Sequence, residues 1–325
     1  MKVTLFDAKG YDRETFEKEN KGRYELSYFD VGLDAKTASL ASGSDVVVPF
    51  VNDDISKETL KVLKKEGVKL VALRCAGFNN VDIESANSLG IPVVRVPAYS
   101  PHAVAEAAFA LLLALDRKLV HSYVRTREFN FSLSGLVGFD LYGKTVGVIG
   151  TGKIGRCFIE IAKGFGMKVL CYDPYPSEIE GAEFVELDTL FAQSDIISLH
   201  CPLTRETKHI IDRDSIEIMK KGVYIINTSR GALIRSDDLL EGLKSKKIGG
   251  AGLDVYEEES GIFFEDNSEY GVDDDILARL ISMPNVLVTG HQAYLTSEAL
   301  MNIASVTFDN IDAFFSGKEL LNQVK

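Results

Sequence analysis

Short apolar runs alternate with amphipathic stretches along the whole chain. Residues 3–6, 24–28, 46–48, 70–73 and 93–94 have strand length and are rich in Val, Leu and aromatic residues. Between most of them apolar positions return every three or four residues beside charged ones, as over residues 56–66, which predicts helices. The pattern then restarts. Residues 145–149, 168–172, 195–199, 222–226, 249–253 and 285–288 form a second strand series. Strands separated by helices pair in parallel, with helices on both faces of the sheet. The two series predict an α/β chain in which one doubly wound architecture occurs twice.

Two longer helical stretches frame the second series. The first begins at Ser100-Pro101 and covers about residues 101–127; proline suits the first turn of a helix. Its apolar side is wide, with Val104, Ala107, Ala108, Leu111, Leu112 and Leu115, which predicts a buried connecting helix. The second, residues 297–315, is apolar at Leu300, Ile303, Val306, Ile311 and Phe314-Phe315.

Composition narrows the function. At roughly 150 residues per domain, 325 residues allow two domains. The net charge, 36 − 48 = −12, repels phosphate backbones and argues against a nucleic-acid partner. The longest apolar run, residues 103–115, is too short to span a bilayer and contains Glu106, so no membrane association is expected. The first residues read as a strand and turn rather than an apolar leader. Cys75, Cys157, Cys171 and Cys201 form no C-x-x-C pair, so neither a disulfide framework nor a metal site is expected, and a reducing cytoplasm fits.

One motif carries specific chemistry. Val146-Gly147-Val148-Ile149 runs into Gly150-Thr151-Gly152-Lys153-Ile154-Gly155, a G-x-G-x-x-G between a strand and a helical pattern. Gly150 permits the tight turn, Gly152 lets the backbone approach a pyrophosphate, and Gly155 lets helix and strand pack closely. The next strand ends in Asp173, 173 − 155 = 18 residues beyond the last glycine. A carboxylate at that spacing binds the adenosine ribose hydroxyls and repels the extra phosphate of NADP, so NAD is the expected cofactor. Arg156, directly after the last glycine, could support a 2′-phosphate, but a side chain on that helix more often faces solvent or neighbouring loops.

Later strands of this series end in polar clusters, where open α/β sheets bind ligands. One ends in Asn227-Thr228-Ser229-Arg230-Gly231, a second in Asp254 followed by Glu257, Glu258 and Glu259, a third in Thr289-Gly290-His291-Gln292. A 2-keto acid needs such a set. Arg230 can grip its carboxylate with two parallel bonds. His291 can give a proton to the alkoxide formed as NADH delivers hydride, and a carboxylate can fix the His tautomer. Spacing alone does not choose among the three glutamates.

These segments resemble the D-isomer-specific 2-hydroxyacid dehydrogenases. The resemblance rests on the glycine motif, Asn227-Thr228-Ser229-Arg230-Gly231-Ala232-Leu233, Gly252-Leu253-Asp254-Val255-Tyr256 and Gly290-His291-Gln292-Ala293. Arg74-Cys75-Ala76-Gly77-Phe78-Asn79-Asn80-Val81-Asp82, Val96-Pro97-Ala98-Tyr99-Ser100-Pro101 and Phe131-Ser132-Leu133 look like the fermentative D-lactate branch of that family. The resemblance implies two Rossmann-like domains with a cleft between them. A discontinuous substrate domain would use residues 1–100 and 297–325, with an NAD-binding domain of residues 101–296 inserted. It implies NADH-dependent, reversible reduction of pyruvate to D-lactate, with Arg230, Glu259 and His291 as the catalytic trio. Cofactor contacts would fall on Lys153, Ile154, Asp173, Cys201, Pro202, Thr228 and Ser229, with Asp254 near the nicotinamide carboxamide. Substrate contacts would come from the N–H groups of Ala76 and Gly77, with Phe50 and Tyr99 over the pocket. A homodimer or homotetramer is implied. Relatives commonly carry His where Ala107 stands, and Phe where Tyr294 faces the substrate pocket; the Tyr294 hydroxyl bears on which small keto acid is preferred. Formate-oxidising members carry Gln in place of Glu259. A dinucleotide-sensing protein of the same fold is the alternative of a different class.

Overall fold

The computed structural model describes all 325 residues. The chain begins β1 (Lys2–Leu5), α1 (Gly10–Asn20), β2 (Glu25–Tyr28), β3 (Val46–Val48), α2 (Lys57–Lys65), β4 (Leu70–Ala72), α3 (Ile83–Leu89) and β5 (Val93–Val94). It continues through α4 (Pro101–Asp116), α5 (Leu119–Arg127), β6 (Thr145–Ile149), α6 (Lys153–Gly164), β7 (Lys168–Tyr172), β8 (Ala182–Phe184), α7 (Leu187–Gln193) and β9 (Ile196–Leu199). Then follow α8 (Arg213–Ile218), β10 (Val223–Asn227), α9 (Ser236–Lys244), β11 (Ile248–Leu253), α10 (Asp275–Ser282), β12 (Val286–Val288), α11 (Ser297–Phe315) and β13 (Gln323–Val324). Contacts divide the chain into two units, one of Met1–Ser100 with Leu295–Lys325 and one of Pro101–Tyr294.

The first unit holds a six-stranded sheet in the order β13-β5-β4-β3-β1-β2. Five strands are parallel, and the edge strand β13 pairs antiparallel with β5, a departure from the all-parallel expectation. Helix α11 starts at a Thr296 cap whose hydroxyl accepts from the Ala299 N–H. It is tied to the end of α1 by the Arg23–Asp312 ion pair at 2.6 Å and by Phe308 stacking on Tyr24 at 5.8 Å.

The second unit is a seven-stranded, wholly parallel sheet in the order β12-β11-β10-β9-β6-β7-β8. Alternate residues of its strands bury on opposite faces: Ile149, Ile197 and Ile225 enter one core cluster, while Val148, Ile196 and Ile226 enter another. Burial on both faces explains why these strands read as continuous apolar runs rather than alternating ones.

Two features differ from the sequence reading. The stretch predicted as one helix over residues 101–127 is two, because Lys118 takes a left-handed conformation with φ 52°. The buried stripe of α4 ends at Leu115 and Asp116, and α5 buries no residue at all. Strands β8 and β13 went unanticipated, being edge strands of three and two residues without a recognisable apolar period.

Candidate active site

In the second unit the strand order reverses between β6 and β9, the position where parallel sheets bind ligands beyond their carboxyl ends. The glycine turn follows β6. Gly150 has φ +95° and faces the loop after β9, with Cys201 N lying 2.5 Å from where a Cβ would stand. A Cβ on Gly155 would come within 2.1 Å of the Gly150 carbonyl oxygen, so α6 packs on the turn only with glycine there. Gly152 differs: it is exposed, caps α6, and nothing lies within 4 Å of its Cβ position. Open space at the N-terminus of a twelve-residue helix suits a pyrophosphate. Lys153 is exposed there, and Ile154 packs against the core.

Asp173 follows β7. Its Oδ2 accepts from Thr151 N at 2.8 Å and Thr151 Oγ1 at 3.0 Å, and its Oδ1 from Tyr175 N at 2.9 Å. Burial pushes its pKa up, but these bonds and the Arg156 charge outweigh it and hold the carboxyl below its ordinary range. It is therefore ionised at neutral pH and fixed beside the glycine turn.

Further along the sheet edge, the Cys201 carbonyl accepts from Ser229 Oγ at 2.7 Å, and the carbonyl of exposed Pro202 from Thr207 Oγ1 at 2.7 Å. Burial pushes the Cys201 thiol up to about 12, so it stays neutral. Burial lowers His200 to about 3; its Nε2 meets Ser198 Oγ at 2.9 Å. His200 Nδ1 and Thr228 Oγ1 are buried with no protein partner. Such atoms normally find partners. Two orphaned polar atoms, the open Gly152 and the charged Asp173 together fit an NAD-type dinucleotide.

The chemistry-bearing side chains gather after β10, β11 and β12. Asn227 shapes the first loop, with Nδ2 donating to Arg230 O at 2.9 Å and Oδ1 accepting from Ser229 N at 3.0 Å. Half-buried Arg230 donates from Nη1 to Ser229 O at 2.7 Å, spending one of its five N–H donors. A Cβ on Gly231 would stand 1.9 Å from Tyr256 O, so this loop abuts the acidic run after β11.

The acidic run sorts itself by contact. Glu257 accepts from Ser236 N at 3.0 Å and meets His209 Nε2 at 2.5 Å. Burial raises its pKa, but these partners outweigh that and lower it. Glu258 is exposed. Glu259 reaches His291: its Oε1 lies 2.9 Å from His291 Nδ1, and its Oε2 accepts from Tyr256 N at 3.1 Å. An ionised carboxylate only accepts, so Nδ1 carries the proton and Nε2 is the nitrogen left for chemistry. The imidazole also packs against Phe264, ring centroids 5.6 Å apart.

His291 has φ +55°, a left-handed conformation that strains a residue with a side chain. Asp254 holds it. This buried carboxylate accepts from Thr289 Oγ1 at 2.5 Å and Gln292 N at 2.9 Å through Oδ1, and from Ala293 N at 2.7 Å through Oδ2. The turn is thus clamped on both sides of His291. The sequence reading set Asp254 against the nicotinamide; its contacts within the protein are to the His291 turn. Tyr294, half-buried, closes this segment.

The remaining predicted residues lie in the first unit, at the carboxyl ends of β3 and β4 and ahead of α4. Phe50 is buried; its N–H donates to Asp53 Oδ2 at 2.6 Å. The N–H groups of Ala76 and Gly77 carry no backbone acceptor, while Ala76 O accepts from Arg95 Nη1 at 2.8 Å. Tyr99 O accepts from Asn302 Nδ2 at 2.7 Å. Sequence reasoning missed Arg74 and Asp53. Arg74 is fully buried, donates to Phe6 O at 2.9 Å and Asp7 O at 2.7 Å, and its guanidinium lies 4.5 Å from the Phe50 ring centroid. Burial pushes Asp53 up to about 6, with Arg74 pulling the other way. A buried arginine inside an apolar run was the one visible signal.

Residues 109–293 match the NAD-binding domain of the D-isomer-specific 2-hydroxyacid dehydrogenases. The chain is 52% identical over 328 aligned positions to D-lactate dehydrogenase of Escherichia coli, covering all of both sequences. It superposes on the apo structure of D-lactate dehydrogenase from Escherichia coli with a TM-score of 0.92 at 49% identity, covering both chains fully. On the pyruvate reductase of Chlamydomonas reinhardtii the TM-score is 0.95 at 45% identity, with 99% of this chain and 98% of that one covered. With a site of this composition and full-length similarity of this extent, the chain belongs to the NAD-dependent D-isomer-specific 2-hydroxyacid dehydrogenases.

Proposed function

We propose that the protein reduces pyruvate to D-lactate with NADH, and runs the reverse oxidation when D-lactate and NAD are in excess. The observation that carries this reading is the Glu259–His291 pair, with Arg230 on the loop after the neighbouring strand of an NAD-binding sheet. Arg230 grips the substrate carboxylate with its planar fork and draws electron density from the ketone. Bound NADH supplies the hydride. As the carbonyl oxygen becomes an alkoxide, His291 Nε2 gives it a proton, and Glu259 holds the ring and stabilises its charged form. In the oxidative direction the same nitrogen accepts the proton.

Lys153, Ile154, Cys201, Pro202, Thr228 and Ser229 are proposed as cofactor contacts, with Asp254 acting through the His291 turn. The N–H groups of Ala76 and Gly77 and the rings of Phe50, Tyr99 and Tyr294 are proposed as substrate contacts, and bulky rings favour a small keto acid. The D-lactate dehydrogenases among the full-length relatives support pyruvate as that acid. A panel of 2-keto acids, followed by loss of NADH absorbance, should give pyruvate the highest kcat/KM. A clear preference for 2-ketoisocaproate would move the substrate to a branched acid.

The protein is further proposed to be a cytoplasmic homo-oligomer. All four cysteines are free thiols, and no helix is long and apolar enough to cross a membrane. Helix α5 and the segment after it expose Tyr123, Val124, Phe129, Phe131, Leu133 and Val137, the last at 86%. A run of exposed apolar side chains on this scale marks an association surface. Sedimentation equilibrium should give a mass at least twice the 35.7 kDa of the chain. A mass of one chain at micromolar concentration would overturn the oligomer.

A further inference from the structure

We propose that the adenosine end of the cofactor site also accepts a 2′-phosphate, held by Arg156 and Ser177, so that the protein binds NADPH as well as NADH. The inference rests on the dinucleotide reading of the glycine turn, not on which keto acid is reduced.

Arg156 lies in the first turn of α6, directly after Gly155, and is exposed. Its Nη2 donates to the hydroxyl of Ser177. Ser177 is four residues beyond Asp173, so the arginine is tied to the loop that carries the ribose carboxylate, and its charge is felt by Asp173. Asp173 itself accepts three hydrogen bonds, from Thr151 N, Thr151 Oγ1 and Tyr175 N. These bonds fix the carboxylate in place and leave it room for a ribose hydroxyl, since two carboxylate oxygens offer about four acceptor positions and three are used.

A 2′-phosphate would extend outward from the ribose held by Asp173. Asp173 alone would repel it. Next to that carboxylate stand a guanidinium, whose planar fork matches phosphate oxygens, and a hydroxyl already within hydrogen-bond reach of it. A ribose with a free 2′-hydroxyl needs neither group, because the carboxylate satisfies it. The arginine therefore adds binding for a group that NAD lacks, and it lowers the repulsion from Asp173 by sitting beside it.

The test measures affinity without turnover. The chain has no tryptophan, so the fluorescence of the reduced nicotinamide can be followed directly as NADH or NADPH is titrated into the full-length protein. NADPH should bind measurably, and Arg156→Ala should weaken NADPH relative to NADH by about tenfold or more, the scale of one charge-assisted contact. Arg156→Lys should recover part of the loss. Asp173→Ala should shift the affinity ratio toward NADPH, and much less so when combined with Arg156→Ala. An NADPH-to-NADH ratio that Arg156→Ala leaves unmoved would overturn the proposal, as would saturable NADH binding with no NADPH binding. Absence of NADH binding to the unmodified protein would instead overturn the dinucleotide site itself, and this inference with it.

Discussion

His291→Ala is expected to lower kcat for pyruvate reduction by about two to four orders of magnitude, the usual scale of a lost general acid. The ring is held from three directions, by Glu259 on Nδ1, by Phe264 on its face and by the Asp254-clamped turn on its backbone. Only Nε2 is left to exchange a proton with substrate. The glycine turn and Asp173 lie on other loops, so the variant should retain NADH binding. Steady-state kinetics paired with an NADH titration checks both halves. Near-normal turnover in a folded His291→Ala protein would remove this histidine from the mechanism.

Asp254→Asn is expected to be damaging for a different reason, and to a lesser degree. The buried carboxylate accepts from one hydroxyl and two backbone N–H groups. An amide offers one acceptor oxygen and would turn an NH₂ toward a donor. Losing charge-assisted bonds and leaving a buried donor unpaired costs about 2–4 kcal/mol. Part of that cost falls on His291, whose left-handed backbone is stable only while the turn is pinned on both sides. Thermal unfolding should show a lower Tm, and kcat should fall about tenfold to a hundredfold on the conversion of 1.4 kcal/mol per decade. A variant of unchanged Tm and kcat would show that the clamp does not set the His291 geometry.

The parts of this architecture legible in the sequence are those set by local pattern. Strands buried on both faces, such as β6 and β9, are unbroken apolar runs, and their boundaries read to within a residue. Pro101 marked the start of α4 by ordinary helix-start chemistry, and the apolar period gave the span of α11, whose Thr296 cap came from the structure. Edge strands β8 and β13 were not legible because pairing with one neighbour asks little of their residues. The break at Lys118 was not legible either, since no glycine or proline signals it and the left-handed residue is a lysine.

The site divides the same way. The glycine motif and Asp173 are read from spacing because one strand-turn-helix-strand unit holds them together. The choice among Glu257, Glu258 and Glu259 depends on partners that spacing does not reveal: Ser236 and His209 for the first, solvent for the second, His291 for the third. The Asp254 contacts span 35 to 39 residues of sequence, so its hold on the His291 turn emerges only once β11 and β12 pair.

The most direct test of the account is chiral analysis of the product formed from pyruvate and NADH by the purified protein. D-lactate is expected in amounts equal to the NADH consumed. L-lactate as the product, or no NADH oxidation with pyruvate, would contradict it.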